Sequence, residues 1–443
     1  MQKNIRKKPV NSLSGGFVHG LKNVLTLRID GLTVSEGSRI PVPLVSRETK
    51  VAVGFFLSSL VIRIILSPVQ GYSVDQSTFA TWFHTAAEYG PRDFYDATSW
   101  CDYPPFNVYI FWVFGTLARH LSLFGKSSLI YILKLPPNLF DVGTAVVIFV
   151  FFRRKMDFEP SLLAVSLYAF NPATIFNASI WGQFDAVYTF FLILSLVLIL
   201  NSKMELSAIA FTVGILSKPQ SIALAPLLAF IIAMEKGLKG LVTSGFASAS
   251  TAMILIAPFK WSNPIGFLVD IYKEGYGGYQ YTSINAFNFW ALHGFWKSDD
   301  SKLLFTDLFS VGWILYGALT IFSLYHLYKR IEDRRDIRVL LTAFVLLFGF
   351  FMLPTRIHER YLFPVFSVLA LTMPFFRYTK PIYGVLSLTY LANQAYVLSF
   401  LNRSETIPSW DPVVLTATLI NIIAFFFSLT FLYRRSNMNA DFA

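Results

Sequence analysis

Apolar residues in this chain of 443 residues come in blocks of about twenty, such as Val51 to Leu66 and Ser310 to Tyr328. As α-helices, blocks of that length span a hydrocarbon core of roughly 30 Å, whereas a soluble core needs shorter ones. Apolar residues make up 54% of the chain and charged residues only 14%, against about a quarter in soluble domains. The sequence therefore predicts an all-α polytopic membrane protein.

The distribution of positive charge supports this class of protein. The chain carries a net charge of +11, and its Lys and Arg side chains stand in short clusters between the apolar blocks. Such clusters orient membrane proteins, because loops rich in Lys and Arg stay in the cytoplasm. We therefore expect the bilayer, and no nucleic acid, to be the partner of these charges.

Length and hydropathy divide the chain into about twelve predicted spans. A further block, Phe106 to Leu117, fits either a span or an interfacial helix. We choose the interfacial helix, because Arg153, Arg154 and Lys155 then lie with the other basic clusters on the cytoplasmic side. The predicted spans lie near residues 51–67, 128–152, 160–177, 183–201, 204–217, 219–234, 238–258, 305–328, 338–354, 361–376, 381–400 and 412–433.

The same reading predicts the domain organisation. Residues 1–45 are basic at their start, and no apolar block begins before Val51, too late for a cleaved signal peptide. We expect residues 1–45 to form a cytoplasmic extension and residues 46–443 to form a single membrane domain.

Unusual polar residues gather on the predicted outer face, opposite the basic clusters. An enzyme that works at the lipid–water boundary would place them in this way. Transporters usually hold such groups near the bilayer midplane. A multi-pass transporter or lipid flippase is the alternative. The outer segments are residues 68–127, 171–183, 259–304, 354–361 and 401–411.

Asp75 begins the first of the polar motifs. Phe79, Trp82, Phe83 and Ala86 recur at helical spacing after it, which predicts an apolar helix face lying on the bilayer. Asp75 would then lie in the first helical turn, where the helix dipole favours a carboxylate. Such a carboxylate can act as a general base toward a hydroxyl, or it can simply cap the helix.

The next motifs each allow a structural and a functional interpretation. The prolines after Asp102 and Tyr103 fix a turn, so Asp102 either caps the following helix or lines a site. Lys218, followed by Pro219 and Gln220, either snorkels to the interface or supplies a cation to a site. At the end of the third span, buried polar groups need partners, which a helix-packing network or a site would provide. These groups are Asn171, Asn177, Trp181, Gln183 and Asp185.

Two outer loops complete the set of motifs. Asn285 and Asn288 stand in a loop rich in Gly and aromatic residues, which fits either an interfacial belt or a surface that contacts carbohydrate or lipid. Residues 354–361 place arginine, histidine and glutamate side chains at the mouth of two spans. Arginine and histidine donate charge-assisted hydrogen bonds to phosphate, as a lipid-phosphate headgroup would require, although a charged turn is the simpler alternative.

Taken in order, these motifs resemble the GT-C superfamily of membrane glycosyltransferases. The chain is most similar to predicted mannosyltransferases related to the second GPI mannosyltransferase, and more distantly to dolichyl-phosphate-glucose-dependent glucosyltransferases. The resemblance covers roughly residues 70–365 and implies a GT-C-like bundle with interfacial helices in its first outer loop. It rests on Asp75, DYPP at 102–105, WGQFD at 181–185, KPQ at 218–220, NAFN at 285–288 and RIHERYLFP at 356–364.

The resemblance implies an inverting transferase that moves a hexose, mannose or glucose, from a polyprenyl-phosphate donor to a lipid-linked or glycan acceptor. The reaction would occur on the extracytoplasmic side of a prokaryotic cell membrane or the endoplasmic reticulum membrane. No cofactor or metal is implied, and the lack of a soluble domain after the last predicted span argues against the oligosaccharyltransferase branch.

The resemblance also implies a role for each motif. Asp75 is the catalytic base, His358 and Arg360 bind the donor phosphate, and Arg356 and Lys218 support them. The expected substrate-binding residues are Asp102, Tyr103, Trp181, Gln183, Asp185, Gln220, Asn285, Asn288 and Glu359.

The predicted topology can be tested at Lys126, which precedes the second span on the outer side. A cysteine introduced by Lys126→Cys should react with an impermeant thiol reagent added from outside, because Phe106 to Leu117 does not cross the bilayer. Labelling from the cytoplasmic side alone would overturn this topology and relocate every later motif.

Overall fold

The computed structural model describes residues 46–303, 305–408 and 410–434, so the predicted N-terminal extension, residues 1–45, lies outside the described residues. Helices dominate these ranges. They are α1 Arg47–Leu66, α2 Ser73–Ala97, α3 Pro105–His120, α4 Leu129–Arg153, α5 Phe158–Ala169, α6 Pro172–Ile175, α7 Asp185–Leu200, α8 Met204–Ser217, α9 Ala225–Ile256, α10 Pro264–Gly277, α11 Leu308–Arg330, α12 Arg335–Met352, α13 Phe363–Thr372, α14 Thr379–Asn402 and α15 Pro412–Leu429.

Shorter elements connect or extend these helices. Strands β1 and β4 pair in parallel, and β2 pairs with β3 in an antiparallel hairpin. The strands are β1 Ser283–Ile284, β2 Lys302–Leu303, β3 Thr306–Asp307 and β4 Ile357–His358. A π-helical turn spans Phe176–Trp181, and 3₁₀ turns span Pro219–Leu224, Phe289–Leu292 and Thr430–Leu432.

The helices confirm an all-α membrane protein. Five helical stretches of the described chain are long and apolar enough to cross a membrane. The shorter helices α7, α8 and α13 are also apolar, while the number of about twelve spans stays a prediction. The five stretches are Arg47–Leu66, Leu129–Arg153, Pro219–Ile256, Leu308–Arg330 and Pro412–Leu432.

The stretch Pro219–Ile256 is too long for one straight span and divides at Gly237. Gly237 has φ +59°, a left-handed value that glycine adopts readily and that interrupts α9. A Cβ atom at Gly240 would lie 3.3 Å from the side chain of Ile232. Eight residues of straight helix would separate the two by about 12 Å, so the chain bends sharply here. The two halves match the separate apolar blocks that the sequence predicts.

Helices α12 and α13 form the centre of the bundle. Every residue of α12 from Ile337 to Met352 is buried, and so is every residue of α13. A helix that is apolar on all sides belongs in the interior. Helices α1, α9 and α11 instead expose apolar side chains such as Ile65, Phe246 and Ile321, as lipid-facing helices do.

The apolar face of α2 packs against protein, so its predicted position on the bilayer is wrong. Phe79, Trp82, Phe83 and Ala86 are buried, and Trp82 stacks on Phe111 of α3 with ring centroids 5.7 Å apart. Periodicity identified the correct face of the helix. It could not distinguish a partner helix from lipid, because both are apolar.

A fully buried ion pair joins α1 to α4. Arg63 Nη2 lies 2.7 Å from Asp141 Oδ2, and neither side chain is exposed. Arg63 Nε also donates to Asp141 Oδ2, Nη1 donates to Ser59 and to the carbonyl oxygen of Ala169, and Tyr168 donates to Asp141 Oδ1 at 2.7 Å. Each nitrogen of the guanidinium and each oxygen of the carboxylate thereby has a partner, as a charge pair surrounded by apolar helices requires.

We expect Asp141→Ala to lower the stability of the folded protein by about 3–5 kcal/mol, because it leaves the Arg63 charge buried without a partner. Thermal unfolding in detergent measures the effect. Glu48→Ala is the matched control, because it breaks the partly exposed pair of Glu48 with Arg153 and should cost less than about 1 kcal/mol. Equal melting temperatures for the two variants would contradict this account of the pair.

Candidate active site

Five of the six predicted motifs come together beside the start of α2. Asp102, in the loop before α3, lies within electrostatic reach of Asp75, Lys218 and Arg360. The 3₁₀ turn after α8 and the loop after β4 supply the two cations. Residues far apart in the sequence therefore form one charged cluster.

Asp75 lies in the first turn of α2, as predicted, but it does not cap the helix. Tyr72 occupies the cap position and makes no side-chain capping bond. Trp181 Nε1 and Gln183 Nε2 both donate to Asp75 Oδ2, at 2.9 and 2.6 Å. No hydrogen bond reaches the other oxygen, Oδ1, from any described residue. The carboxylate is thus held by one oxygen and has the second available.

The WGQFD motif explains how Asp75 is held. The π-helical turn Phe176–Trp181 ends at Gly182, whose φ of +85° turns the chain before α7 begins. Trp181 and Gln183 consequently both reach Asp75, while Asp185 lies on the first turn of α7. The resemblance implies that Gln183 binds substrate. In the structure its amide nitrogen donates a hydrogen bond to Asp75.

Lys218 is buried and paired, so it does not snorkel to the interface. Its ammonium lies 2.7 Å from Asp185 Oδ1 and 5.3 Å from the ring centroid of Tyr103. Asn177 donates to the second oxygen of Asp185 at 3.1 Å. Proline at position 219 ends α8 and starts the 3₁₀ turn, which directs Lys218 inward.

The segment after β4 is buried and is not an ordinary charged turn. Arg360 Nη1 donates to Glu359 Oε1 at 2.9 Å and lies 3.4 Å from His358 Nδ1. Arg360 Nε lies 4.0 Å from Asp185 Oδ2 and has no hydrogen-bond partner among the described residues. Both hydrogen bonds of the guanidinium come from Nη1, so its other nitrogens have donors that no described residue uses.

Backbone pairing fixes this segment in place. β4 pairs with β1, and His358 forms a further bridge with Asn285. The side chain of Asn285 accepts from Trp296 Nε1 at 3.0 Å, and its carbonyl oxygen accepts from Asn393. The two oxygen atoms of Asn285 thus anchor its loop.

Asn288 has a similar anchoring role. It is fully buried, donates to the carbonyl oxygen of Phe351 and accepts from the backbone N–H of Trp290. The structure does not bring Asn288 into the charged cluster.

Arg356 is paired with Asp299, a residue for which the sequence predicts no role. Asp299 accepts from Arg356 Nε at 2.8 Å and from Thr355, and it is almost completely buried. The guanidinium of Arg356 also stacks over Phe309, 4.4 Å from the ring centroid. Arg356 therefore fixes the loop that carries His358.

Burial shifts the pKa of three groups in the site. Burial raises the pKa of Asp102 above its usual value, although Arg360 and Lys218 act in the opposite direction. Burial also raises the pKa of Glu359, again against the effect of Arg360. Burial, together with the charges of Arg360 and Lys218, holds the pKa of His358 well below its usual value, so its imidazole is neutral. A neutral imidazole still offers one N–H donor.

A cavity of about 600 Å³ opens beside the cluster. Its polar end carries Asp102, Gln220, His358 and Arg360. Its other walls are mainly apolar, although Lys273 and Arg356 also line it, and Asp75, Lys218 and Asp185 are not among its lining residues. The apolar walls come mainly from Ile215, Ile222, Val269, Tyr272, Trp313 and Phe350.

Comparisons with known proteins identify no family. No model of a known protein family matches the chain, and no curated protein matches it. Among solved structures it is similar to the archaeal oligosaccharyltransferase AglB from Archaeoglobus fulgidus in complex with an inhibitory peptide and a dolichol-phosphate, with 12% identity and a TM-score of 0.38. The likeness covers 86% of this chain and 55% of that one, so the chain spans about half its length. A likeness this weak says nothing about activity.

Proposed function

We propose that the protein transfers a hexose, mannose or glucose, from a polyprenyl phosphate to a hydroxyl of a lipid-linked or glycan acceptor on the extracytoplasmic face. One observation carries the proposal. Arg360, whose guanidinium has unused donors, lines the polar end of a cavity with apolar walls, and Asp75, a carboxylate with one free oxygen, belongs to the charged cluster beside that end.

The cavity matches the two parts of such a donor. Apolar walls suit the lipid chain, while Arg360 and the neutral imidazole of His358 offer hydrogen bonds to the phosphate at the polar end. Glu359 neutralises Arg360 before a ligand arrives. Because burial raises the pKa of Glu359, this carboxylate can accept a proton when a phosphate takes its place beside Arg360.

The reaction requires one base and one cationic group. The acceptor oxygen attacks the anomeric carbon as its proton passes to Asp75 Oδ1. The bond between that carbon and the phosphate oxygen breaks, and its electron pair remains on the polyprenyl phosphate. Arg360 stabilises the new charge directly, and Lys218, which does not line the cavity, adds a nearby positive charge. Attack opposite the leaving group inverts the anomeric centre, and no sugar–enzyme bond forms.

Asp102 has a different role in this scheme. It lines the cavity, and its Oδ1 is buried without a hydrogen-bond partner among the described residues. A sugar hydroxyl would satisfy that oxygen. Asp102 is accordingly the best candidate to orient the transferred hexose.

Arg360→Ala and His358→Ala should raise the KM for the donor about ten- to a hundredfold and leave acceptor binding nearly unchanged, because each lost contact to phosphate is worth about 1.5–3 kcal/mol. Arg360→Lys should rescue little, since lysine lacks the planar fork. Initial rates in nanodiscs with polyprenyl-phosphate mannose and polyprenyl-phosphate glucose measure these effects. Arg403→Ala, at an exposed arginine outside the cluster, is the control. Normal donor use by Arg360→Ala would count against this phosphate site.

Asp75→Asn should reduce the transfer rate by roughly 10²–10⁴-fold, the usual cost of a lost general base. The carboxamide oxygen can still accept from Trp181 and Gln183, so the variant should fold and melt like the parent protein. Asp102→Asn is the matched variant and should cost less, since it keeps a polar group toward the sugar. If Asp75→Asn turns over nearly normally and Asp102→Asn is inactive, Asp102 is the base. If both variants are active, the single-base mechanism is wrong.

A further inference from the structure

One face of α4 carries three buried polar side chains that bond to other parts of the chain, whereas the buried Thr144 bonds only within the helix. Lys134, Asn138 and Asp141 are spaced by four and three residues, so they lie one above another on the same helical face. All three are almost fully buried. The proposed reaction uses none of them, and buried polar side chains in a membrane helix call for an explanation.

Each of the three joins the same two parts of the chain. One part is α1 with the connection that leads from it to Asp75, and the other runs from the end of α5 to the π-helical turn. Asp141 binds Arg63 and Tyr168, Asn138 binds Ser67 and Ser179, and Lys134 donates to the carbonyl oxygens of Val69 and Ile180, at 2.8 and 2.7 Å.

Lys134 is the member of this set nearest the charged cluster. Val69 begins the short connection to Asp75, and Ile180 directly precedes Trp181, which donates to Asp75. The two backbones also touch at Gly71, where a Cβ atom would lie 2.6 Å from the carbonyl oxygen of Trp181. One ammonium therefore joins the backbone that carries the carboxylate to the backbone that carries its hydrogen-bond donors.

The contacts of Lys134 show that its side chain links two backbone segments. No carboxylate forms an ion pair with it among the described residues, and both of its hydrogen bonds go to backbone carbonyl oxygens. Its aliphatic chain lies against Gly182, where a Cβ atom would come within 3.0 Å of Lys134 Cε and Cγ. The side chain thus fits between two segments that meet at Asp75.

We infer that Lys134 is a positioning residue that sets the geometry between Asp75 and the Trp181 and Gln183 donors. The catalytic importance of this geometry rests on the proposed role of Asp75 as the base. A base must be held close to its productive position, since a shift of about 1 Å can cost about a hundredfold in rate. Without Lys134, the two segments would lose the bonds that set their separation.

Two substitutions at Lys134 test this inference. Lys134→Met keeps the length of the side chain and removes its donors, and Lys134→Gln retains an N–H₂ group on a shorter stem. Tyr168→Phe is the matched control, because it removes a hydrogen bond to Asp141, the member of the set farthest along α4 from Lys134. If Lys134→Met fails to fold, Lys134→Gln alone decides.

The first measurement needs no activity. The indole ¹⁵N–¹H resonance of Trp181, assigned with Trp181→Phe, reports the bond to Asp75. We expect it to move in both Lys134 variants and to stay in place in Tyr168→Phe. An unmoved resonance in a folded Lys134 variant would overturn the inference.

The second measurement is the transfer rate. Lys134→Met should lower kcat about ten- to a hundredfold with a nearly unchanged KM for the donor, and Lys134→Gln should be intermediate. In the Asp75→Asn background, the Lys134 substitution should cause no further loss, whereas the same loss in both backgrounds would contradict the inference. If the Trp181 resonance moves but the parent protein transfers no sugar, the positioning role of Lys134 is supported and the proposed function is rejected.

Discussion

The pairing of Lys218 with Asp185 is the contact around which the charged cluster is built. A buried charge in a bundle surrounded by lipid is costly unless a partner lies beside it, and this pair is almost fully buried. Asp185 also accepts a hydrogen bond from Asn177 and lies 4.0 Å from Arg360. One carboxylate therefore links the WGQFD motif, the turn after α8 and the loop after β4. Loss of Lys218 would leave Asp185 without its nearest cation, because Arg360 lies 4.0 Å away.

The same requirement accounts for the second layer of contacts. Arg356 is neutralised by Asp299, Arg360 by Glu359, and Arg63 by Asp141. Asp299 and Asp141 lie far from their arginines in the sequence, so these two pairs join separate parts of the chain. Glu359 is next to Arg360, so this pair fixes the conformation of their loop. Pairing of buried charges therefore does more than satisfy electrostatics, because it orders the loops that a helical bundle alone would leave undetermined.

The sequence predicted the membrane class and most of the residues that come together. It succeeded because each motif stands beside the end of an apolar block, so that hydropathy and the positions of Lys and Arg place the motifs on one face. It did not predict that Trp181 and Gln183 would serve Asp75, since that contact spans more than a hundred residues of sequence. The sequence predicted no role for Lys134 and Asp141, because both lie inside an apolar block whose length indicates a membrane span. A lysine within a predicted span is unusual enough that it could have been noticed.

The two aspartates of the cluster differ in ways that the sequence could not show. Asp75 accepts two hydrogen bonds on one oxygen, so its position is fixed and its other oxygen is available for a proton. Asp102 has an oxygen without a partner, and burial raises its pKa, so it retains a proton more readily than an ordinary aspartate. Groups of the same type whose environments differ in this way commonly divide the tasks of a reaction. In the proposed transfer, Asp75 removes the acceptor proton, while Asp102 meets the sugar at the cavity wall. When protonated, Asp102 can donate a hydrogen bond without adding negative charge next to the departing phosphate.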